Sequence, residues 1–219
     1  NRKRFAEDCK RVVKEYGLDG IDIDWEYPTQ SRAKISSSPD DTNNYTLMMR
    51  DIRKVIGKKQ LLTCATVASG EYIDFKDCIQ YIDLVNVMSY DMANPPKHHS
   101  ALYPSDISGW MTTSQAVESH LKKGVPANKL VVGMPFYGRG DQKYHAYVKN
   151  HNLKLNVREK WSEASQVPYL EDEKGNMVFG FENPKSLAIK CQYVIDHNLR
   201  GGMYWEYADD NSQGDFRNS

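Results

Sequence analysis

The sequence lacks any long apolar run and carries no excess charge of either sign. Its longest apolar stretches, around "LVNVM" and "LVVGMPF", fall far short of the roughly 18–20 residues that a membrane-spanning helix requires. The 29 lysines and arginines balance the 29 aspartates and glutamates, so the formal net charge is zero. A chain of this kind has no extended field of one sign to attract nucleic acid or an anionic membrane. We therefore expect no membrane span, no nucleic-acid partner and an uncharged substrate.

Cysteine is scarce, and the four that occur are far apart: Cys9, Cys64, Cys78 and Cys191. They form neither a C-x-x-C pair nor a cluster with histidine at the spacing of a metal site. We expect buried free thiols rather than a disulfide or a metal site, so cysteine use does not indicate the compartment. No signal peptide is visible in the opening stretch "NRKRFAEDCKRVV". The length of 219 residues, 40% of them hydrophobic, suits one domain with a substantial core.

What the sequence does have is a regular alternation of apolar runs and helical patterns. Strands that alternate with helices at this rhythm lie parallel and are joined by right-handed crossovers. No glycine-rich phosphate loop follows any of the strands, because "GRGD" at 138–141 lacks the dinucleotide-binding spacing. This favours a (β/α)8 TIM barrel, an α/β fold, over an open doubly wound sheet. The predicted strands are 20–27, 61–68, 83–91, 129–138 and a run from 201, and the predicted helices are 5–16, 44–56, 75–81, 113–123 and 184–198.

Polar and aromatic residues mark the carboxyl ends of four of these strands. The active sites of (β/α)8 barrels are assembled at those ends, so we expect the site there. A complete barrel takes about 250 residues, whereas five strands and an insertion already occupy this chain. We therefore expect a partial catalytic barrel domain over residues 1–219, covering roughly strands 4 to 8, with up to three strands missing at the front. The marked strand ends are Glu26/Tyr27, Tyr90/Asp91, Tyr137/Arg139 and Trp205/Glu206.

The segment that follows the fourth predicted strand, which would be barrel strand 7, reads as irregular. We interpret 140–181 as a small insertion between this strand and its helix. The charged run at 171–174 reads as a solvated loop, and Trp161 and Tyr169 read as the small core of the segment.

The stretch "GIDIDWEYP", residues 20–28, places carboxylates at every second position of a predicted buried strand. Side chains alternate between the two faces of a strand, so Asp22, Asp24 and Glu26 face into the barrel. Neighbouring Cα atoms on that face are about 6.6 Å apart. Like charges at this range interact, so at least one carboxyl should have a raised pKa and stay protonated near neutral pH. The alternate positions, Ile21, Ile23 and Trp25, face the covering helices.

Other interpretations of these acids are open on the residues alone. Paired carboxylates also bind Ca²⁺ or Mg²⁺, and a lone acid in a strand is usually a solvated edge charge. Strict alternation among β-branched and aromatic neighbours argues against an edge, and we favour a proton-transfer site over a metal site. Asp19 precedes the strand and is interpreted as a turn or capping residue. His98 and His99 have no metal-ligand spacing with the other histidines, so we interpret both as loop residues.

The longer stretch "DGIDIDWEYP", residues 19–28, matches in full the D-x-x-D-x-D-x-E signature of the glycoside hydrolase family 18 chitinases. The chain resembles this family elsewhere too, since "MSYD" at 88–91 is similar to the end of its sixth barrel strand. "GMPFYGR" at 133–139 and "GGMYWE" at 201–206 resemble its seventh and eighth strands. With "WSEASQVPY" and "FENPKSLAIKCQYV" between the last two, the similarity covers nearly the whole chain.

The resemblance implies a mechanism without an enzyme nucleophile, a cofactor or a metal. Members of the family cleave β-1,4-linked N-acetylglucosamine with retention, because the substrate's own acetamido oxygen attacks the anomeric carbon. By matching positions, Glu26 would be the general acid and later the general base. Asp24 would hold the acetamido N–H and stabilise the developing positive charge, and Asp22 would share a proton with Asp24. Tyr90 would align the acetamido oxygen for attack.

The resemblance also implies a set of sugar-binding residues. Asp91, Tyr137 and Arg139 are similar to family residues that bind flanking sugars. Trp205 would form the floor beneath the reacting sugar, since pyranose faces stack on indole, and Met88 lies on the inward face of its strand. The implied partner is chitin or an N-acetylglucosamine oligosaccharide, and we expect a monomer that is secreted or held at the cell envelope.

Two alternatives keep the fold. Some family members are non-catalytic lectins that bind chitin oligosaccharides, although all four catalytic positions are occupied here. Others are endo-β-N-acetylglucosaminidases, which cut the chitobiose core of N-glycans with the same acids. The tryptophan of "DWEYP" and the insertion favour a chitinase. The sequence distinguishes neither endo from exo action nor chitin from glycoprotein or peptidoglycan-like substrates.

Overall fold

A computed structural model describes residues 1–145, 156–210 and 213–219 of the chain. The α-helices are α1 (Arg2–Tyr16), α2 (Asp41–Ile56), α3 (Phe75–Cys78), α4 (Thr113–Lys122) and α5 (Pro184–Asp196). The strands are β1 (Gly20–Ile23), β2 (Leu61–Val67), β3 (Leu84–Met88), β4 (Leu130–Pro135), β5 (Arg139–Gly140), β6 (Val157–Ser162), β7 (Val167–Asp172), β8 (Met177–Gly180) and β9 (Gly201–Trp205).

The larger of two sheets contains β1, β2, β3, β4 and β9 in that order, and every neighbouring pair is parallel. Helices α2, α3, α4 and α5 precede β2, β3, β4 and β9 in the chain, so the connections are β/α crossovers. The predicted type and order of these elements are confirmed. Because parallel strands end at the same edge of a sheet, the segments after β1, β3, β4 and β9 are brought together.

Local sequence signals set the ends of the helices. Gly17 ends α1 in the left-handed conformation, with φ of 63°, which glycine adopts without steric cost. Thr112 begins α4 with a capping box that it shares with Gln115. The side chain of Asn183 accepts a hydrogen bond from the N–H of Ser186 at the start of α5.

The main core lies between the parallel sheet and its helices. Alternate residues of β2 are buried, among them Leu62 and Cys64, which are fully enclosed. Helix α2 covers this face with Tyr45, Met49 and Ile52, each no more than 1% exposed. Burying an apolar side chain of this size contributes about 1.5–3 kcal/mol to the free energy of unfolding. This layer therefore stabilises the strands that carry the site.

All four cysteines are free thiols. Cys9, Cys64 and Cys78 are buried, which confirms the prediction for them. Cys191 is exposed, and the prediction was wrong there, because the buried face of α5 is formed by other positions such as Lys190. Within the described ranges, no helix is both long and apolar enough to cross a membrane.

The segment predicted to be irregular forms a second sheet, so that prediction was wrong. Its antiparallel strands have the order β5-β8-β7-β6. The run at 171–174 is only partly a loop, because Glu171 and Asp172 end β7 and a turn through Gly175, with φ of 85°, leads to β8. Charged residues on the exposed β6 concealed these short strands from sequence reading. Residues 146–155 of the predicted insertion lie outside the described residues.

The core of this small sheet also differs from the prediction. Trp161 and Tyr169 are only half-buried, whereas Leu170 and Phe179 are fully buried. Trp161 instead packs against the ammonium of Lys185, whose Nζ lies 3.7 Å from the ring centroid in a cation–π contact. The two central strands, β7 and β8, therefore provide the core.

A buried ion pair joins the end of the small sheet to α5. Lys190 and Glu182 are at most 1% exposed, and Lys190 Nζ donates to Oε1 of Glu182. Lys190 Nζ also donates to the carbonyl oxygen of Ser100 at 2.5 Å, and the Ser100 hydroxyl donates to Glu182 Oε1 at 2.5 Å. These contacts compensate the two charges in part for the loss of water, since Oε2 of Glu182 is buried without a hydrogen-bond partner among the described residues. Since Ser100 belongs to the loop after β3, the pair fastens three separate segments.

Candidate active site

A cleft of about 660 Å³ opens at the carboxyl ends of the parallel strands. The segments after β1, β3 and β4 and the end of β9 contribute to it, as the strand-end rule for barrels leads one to expect. All of the residues predicted for the site lie in its wall, although they come from distant parts of the chain. They are Asp22, Asp24, Glu26, Met88, Tyr90, Asp91, Tyr137, Arg139 and Trp205.

The acidic segment begins in β1 and continues past its end. The strand stops at Ile23, earlier than predicted, so Asp24 and Glu26 lie in the stretch that follows it. Ile23 is buried, and the half-buried Trp25 packs on α2 with its ring 6.1 Å from that of Tyr45. The carboxylates face the open cleft. The predicted division between packed and cleft-facing side chains is therefore confirmed, even beyond the strand.

Partial burial raises the pKa of Asp24 to about 6, and the negative charges of Glu26 and Asp22 add to this effect. The raised pKa expected somewhere in the acidic segment thus falls on Asp24. Burial also raises the pKa of Tyr90, with contributions from Asp24 and Asp91, so the hydroxyl keeps its proton and can donate into the cleft. The segment therefore offers a carboxyl that can hold a proton near neutral pH beside Glu26.

Asp22 is held by the two neighbouring strands. Its Oδ1 accepts a hydrogen bond from the hydroxyl of Thr63 on β2. The same oxygen accepts a hydrogen bond of 3.0 Å from Nδ2 of Asn86 on β3. Donors fixed in a sheet orient a carboxylate, so Asp22 has a defined position behind the open end of the segment.

A second charged group in the cleft centres on Asp91. Its Oδ1 accepts hydrogen bonds from the Tyr137 hydroxyl at 2.8 Å and from Arg139 Nε at 2.6 Å, while Arg139 Nη2 donates to Oδ2. The buried His99 lies beside it, with Nδ1 3.7 Å from Oδ1. Burial opposes ionisation, but His99, Arg139 and Tyr137 outweigh it and hold the pKa of Asp91 well below its usual range. Asp91 is therefore an ionised anchor for Arg139 and Tyr137.

His98 and His99 lie in the loop after β3, as predicted, and both are buried. The His99 ring centroid lies 5.6 Å from that of Tyr137, and the His98 centroid 5.5 Å from that of Tyr169. Burial lowers the pKa of both residues, of His98 to about 4, so both rings pack as neutral groups. In the part of the chain that the structure describes, no three His, Cys, Asp or Glu side chains are placed to hold a metal ion.

Several residues of the cleft wall were not predicted from the sequence. Trp110, Gln142, His145 and Asp209 also line the cleft. They lie outside the parallel strands, whose carboxyl ends were the predicted location of the site. The Trp110 side chain is 60% exposed and offers an apolar face, and its aromatic character in a long loop was the available signal.

Replacing Asp24 by asparagine is expected to raise the melting temperature at pH 8 and to change it little at pH 4. The pKa of Asp24 is about 6 in the folded state against an ordinary value of 3.8, so the unfolded chain releases this proton first as pH rises. The folded state therefore loses stability as pH rises from about 4 to 6, and asparagine carries no such penalty. Calorimetry at both pH values measures the difference. Asp91→Asn is the matched control and should lower the melting temperature at pH 8, because the lowered pKa of Asp91 stabilises the fold above pH 4. Equal changes of melting temperature in Asp24→Asn at both pH values would contradict the raised pKa of Asp24.

The chain matches the family model described as "Glycosyl hydrolases family 18" over residues 1–210. It is 29% identical over 263 residues to "Chitinase A1" of Niallia circulans, in an alignment that covers 97% of this chain and 38% of the relative. It is 23% identical over 304 residues to "Chitinase B" of Serratia marcescens, with 98% of this chain and 59% of the relative covered. The chain thus spans less than two thirds of the length of these relatives.

Solved structures share the fold. A glycoside hydrolase family 18 N-acetylglucosaminidase from Paenibacillus barengoltzii superposes with a TM-score of 0.88 at 29% identity, covering 99% of this chain and 74% of that chain. Chitinase ChiW from a Paenibacillus species superposes with a TM-score of 0.87 at 30% identity, covering 99% of this chain and 29% of that chain. The parallel sheet and its helices are therefore part of a (β/α)8 barrel, and the predicted fold class is confirmed.

Proposed function

Because the chain belongs to glycosyl hydrolases family 18, we propose that the protein hydrolyses β-1,4-linked N-acetylglucosamine in chitin or chito-oligosaccharides with retention of configuration. The observation that carries this proposal is the acidic segment in the cleft, where Glu26 lies near Asp24 and burial raises the pKa of Asp24 to about 6. A carboxyl that can hold a proton near neutral pH beside a second carboxyl is suited to acid–base catalysis.

In the proposed first step, Glu26 gives its proton to the glycosidic oxygen as the bond from that oxygen to the anomeric carbon breaks. The carbonyl oxygen of the substrate's acetamido group bonds to the anomeric carbon, so the positive charge is delocalised in an oxazolinium ring. In the second step, Glu26 takes a proton from water, whose oxygen bonds to the anomeric carbon and reopens the ring. Two inversions at the same carbon give net retention.

The neighbours of Glu26 support ring closure. Asp24 accepts a hydrogen bond from the acetamido N–H, and its negative charge stabilises the developing positive charge. Asp22 shares a proton with Asp24 in this proposal. Tyr90, which keeps its proton because burial raises its pKa, donates to the acetamido oxygen and aligns it with the anomeric carbon.

The remaining cleft residues bind sugar in this proposal. Trp205, whose side chain is 55% exposed at the end of β9, stacks beneath the reacting ring, with Met88 beside it. Asp91, Arg139 and Tyr137 form a fixed polar group that hydrogen-bonds a flanking sugar. The groups named for the reaction come from one chain, so the proposed enzyme acts as a monomer, outside the cell or at its envelope where a chitin polymer is accessible.

A comparison of substrates tests the proposal. We expect the protein to cut a chitin hexasaccharide and a 4-nitrophenyl chitobioside but to leave a high-mannose glycoprotein intact. The physical reason is that Trp110 and Trp205 both expose indole faces to the cleft, on which successive N-acetylglucosamine units stack. Mass spectrometry identifies the products, and their length separates exo from endo action. Cleavage of the glycoprotein alone would favour an endo-β-N-acetylglucosaminidase, and binding of the hexasaccharide without products would identify a lectin.

A further inference from the structure

Two side chains that the proposed reaction does not use hold one oxygen of Asp22. The hydroxyl of Thr63 and Nδ2 of Asn86 both donate to Oδ1 of Asp22, the second at 3.0 Å. Thr63 is the Cα partner of Asp22 in the β1–β2 register. Asn86 comes from the next strand, where it pairs with Ala65. Two adjacent strands of the barrel wall therefore converge on a single carboxylate oxygen.

The chemistry of these donors restricts where a proton can reside. An amide N–H can only donate, so the Asn86 contact requires an acceptor at Oδ1. Hydrogen bonds to a carboxylate favour its charged form. Asp24 lies in the opposite situation, because partial burial and neighbouring charges favour its protonated form. A single proton carried by the two aspartates is thus best placed on Asp24.

We propose that Thr63 and Asn86 are positioning residues that keep Asp22 charged and thereby assign the shared proton to Asp24. The catalytic consequence rests on the proposed function. When Asp24 has to become anionic beside the oxazolinium ion, the proton passes from Asp24 to Asp22, whose Oδ1 is occupied by the two donors and whose Oδ2 receives it. Thr63 and Asn86 therefore act through Asp22, and Asn86 does so from within the wall of the cleft.

The titratable groups that act electrostatically on this pair come from several packed elements. Burial raises the pKa of each of the tyrosines and of the thiol among them, so these groups stay neutral in the range where carboxyls titrate. Proton exchange around the two aspartates between pH 3 and 8 therefore does not involve these tyrosines or this thiol. The groups are Glu26 and Tyr27 on the same segment, Cys64 on β2, Tyr90 after β3 and Tyr45 on α2.

A carboxyl ¹³C NMR titration of the purified protein without substrate tests the proposal. In Thr63→Val and in Asn86→Leu we expect the Asp22 carboxyl to titrate about 0.5–1 pH unit higher, a moderate shift because the site is open to solvent. The Asp22 signal is assigned by its loss in Asp22→Asn. Thr63→Ser, which keeps the hydroxyl, should retain the parent titration. An unshifted Asp22 titration in both Thr63→Val and Asn86→Leu would overturn the proposal.

The pH dependence of kcat/KM on the chitobioside provides a second readout. Protonation of Asp22 removes the acceptor for the shared proton. The acidic limb of the kcat/KM profile should therefore move to higher pH in Thr63→Val and in Asn86→Leu, by the amount seen in the NMR titration. Because the donors act through Asp22, adding Asn86→Leu to an Asp22→Asn variant should leave the pH profile of kcat/KM unchanged. A shift that persists there would overturn the proposal.

The two experiments separate failure of this inference from failure of the proposed function. If no N-acetylglucosamine substrate is cut, the proposed function fails, and the substrate-free titration still decides the role of Thr63 and Asn86. Asn128→Leu is the control, because Asn128 is exposed at the opposite end of β4 and should leave the Asp22 titration unchanged. Thermal unfolding identifies any variant that fails to fold, and Thr63→Val, which preserves side-chain shape, then carries the test.

Discussion

Glu26→Gln is expected to lower kcat for chitobioside hydrolysis by about 10²–10⁴-fold, the usual contribution of a positioned acid–base group. Glutamine matches the shape of glutamate but can neither give a proton to the glycosidic oxygen nor take one from water. Glu26 lies at the open end of the acidic segment, in the wall of the cleft, so the substitution leaves the packed side of that segment in place. Release of 4-nitrophenol measures the rate, and calorimetric titration with chitin hexasaccharide measures binding.

The outcome distinguishes the roles of Glu26. Binding that survives the loss of hydrolysis supports an acid–base role, whereas parallel loss of both would assign Glu26 to structure or binding. Undiminished hydrolysis would remove it from the mechanism. Glu163→Gln makes the same chemical change at an exposed position outside the cleft and should leave both measurements unchanged.

Lys190→Ala is expected to lower the free energy of unfolding by about 3–5 kcal/mol, because it leaves the Glu182 charge buried without its partner. The substitution also removes the donor to the Ser100 carbonyl, so the joint between α5, the loop after β3 and the end of the small sheet loses its central contact. Urea denaturation followed by circular dichroism measures the change.

Replacing both charges separates the cost of an unpaired charge from lost packing. Lys190→Met combined with Glu182→Gln removes the charges while keeping much of the volume, and it should be more stable than Lys190→Ala. Lys122→Ala is the control, since Nζ of Lys122 lies 3.7 Å from Oε2 of Glu118 in an exposed ion pair on α4. Exposed ion pairs contribute about 0–1 kcal/mol to the free energy of unfolding. A loss in Lys190→Ala no larger than in Lys122→Ala would contradict the interpretation of the buried pair.

The acidic segment could be located from the sequence because its determinant is local. Alternation of side chains with period two places Asp22, Asp24 and Glu26 on one side and requires no knowledge of neighbouring strands. The placement of Tyr90 after β3 and of Arg139 after β4 followed from the same kind of pattern, once a parallel barrel was inferred.

Features that depend on register or on distant partners could not be predicted in this way. The hydrogen bonds from Thr63 and Asn86 to Asp22 exist because three strands pair in a particular register. A lysine in a helix ordinarily indicates a solvent-facing position, and Lys190 is buried only because Glu182 and Ser100 arrive from other segments. The small sheet was missed for a different reason, since its edge strand β6 is exposed and charged like a loop.

The turn between β7 and β8 offers a place to attach the protein to a surface or a fusion partner. Asp172 Oδ1 accepts hydrogen bonds from the N–H groups of Lys174 at 2.9 Å and Asn176 at 2.8 Å, so the turn closes on itself. Its residues are not among the described ones that line the cleft, whereas β5 at the other side of this sheet supplies Arg139 to it. Lys174 and Gly175 are exposed, so we expect a peptide inserted between them to extend into solvent and to leave the cleft open. The same sheet thus provides both a wall of the cleft and a site for immobilisation.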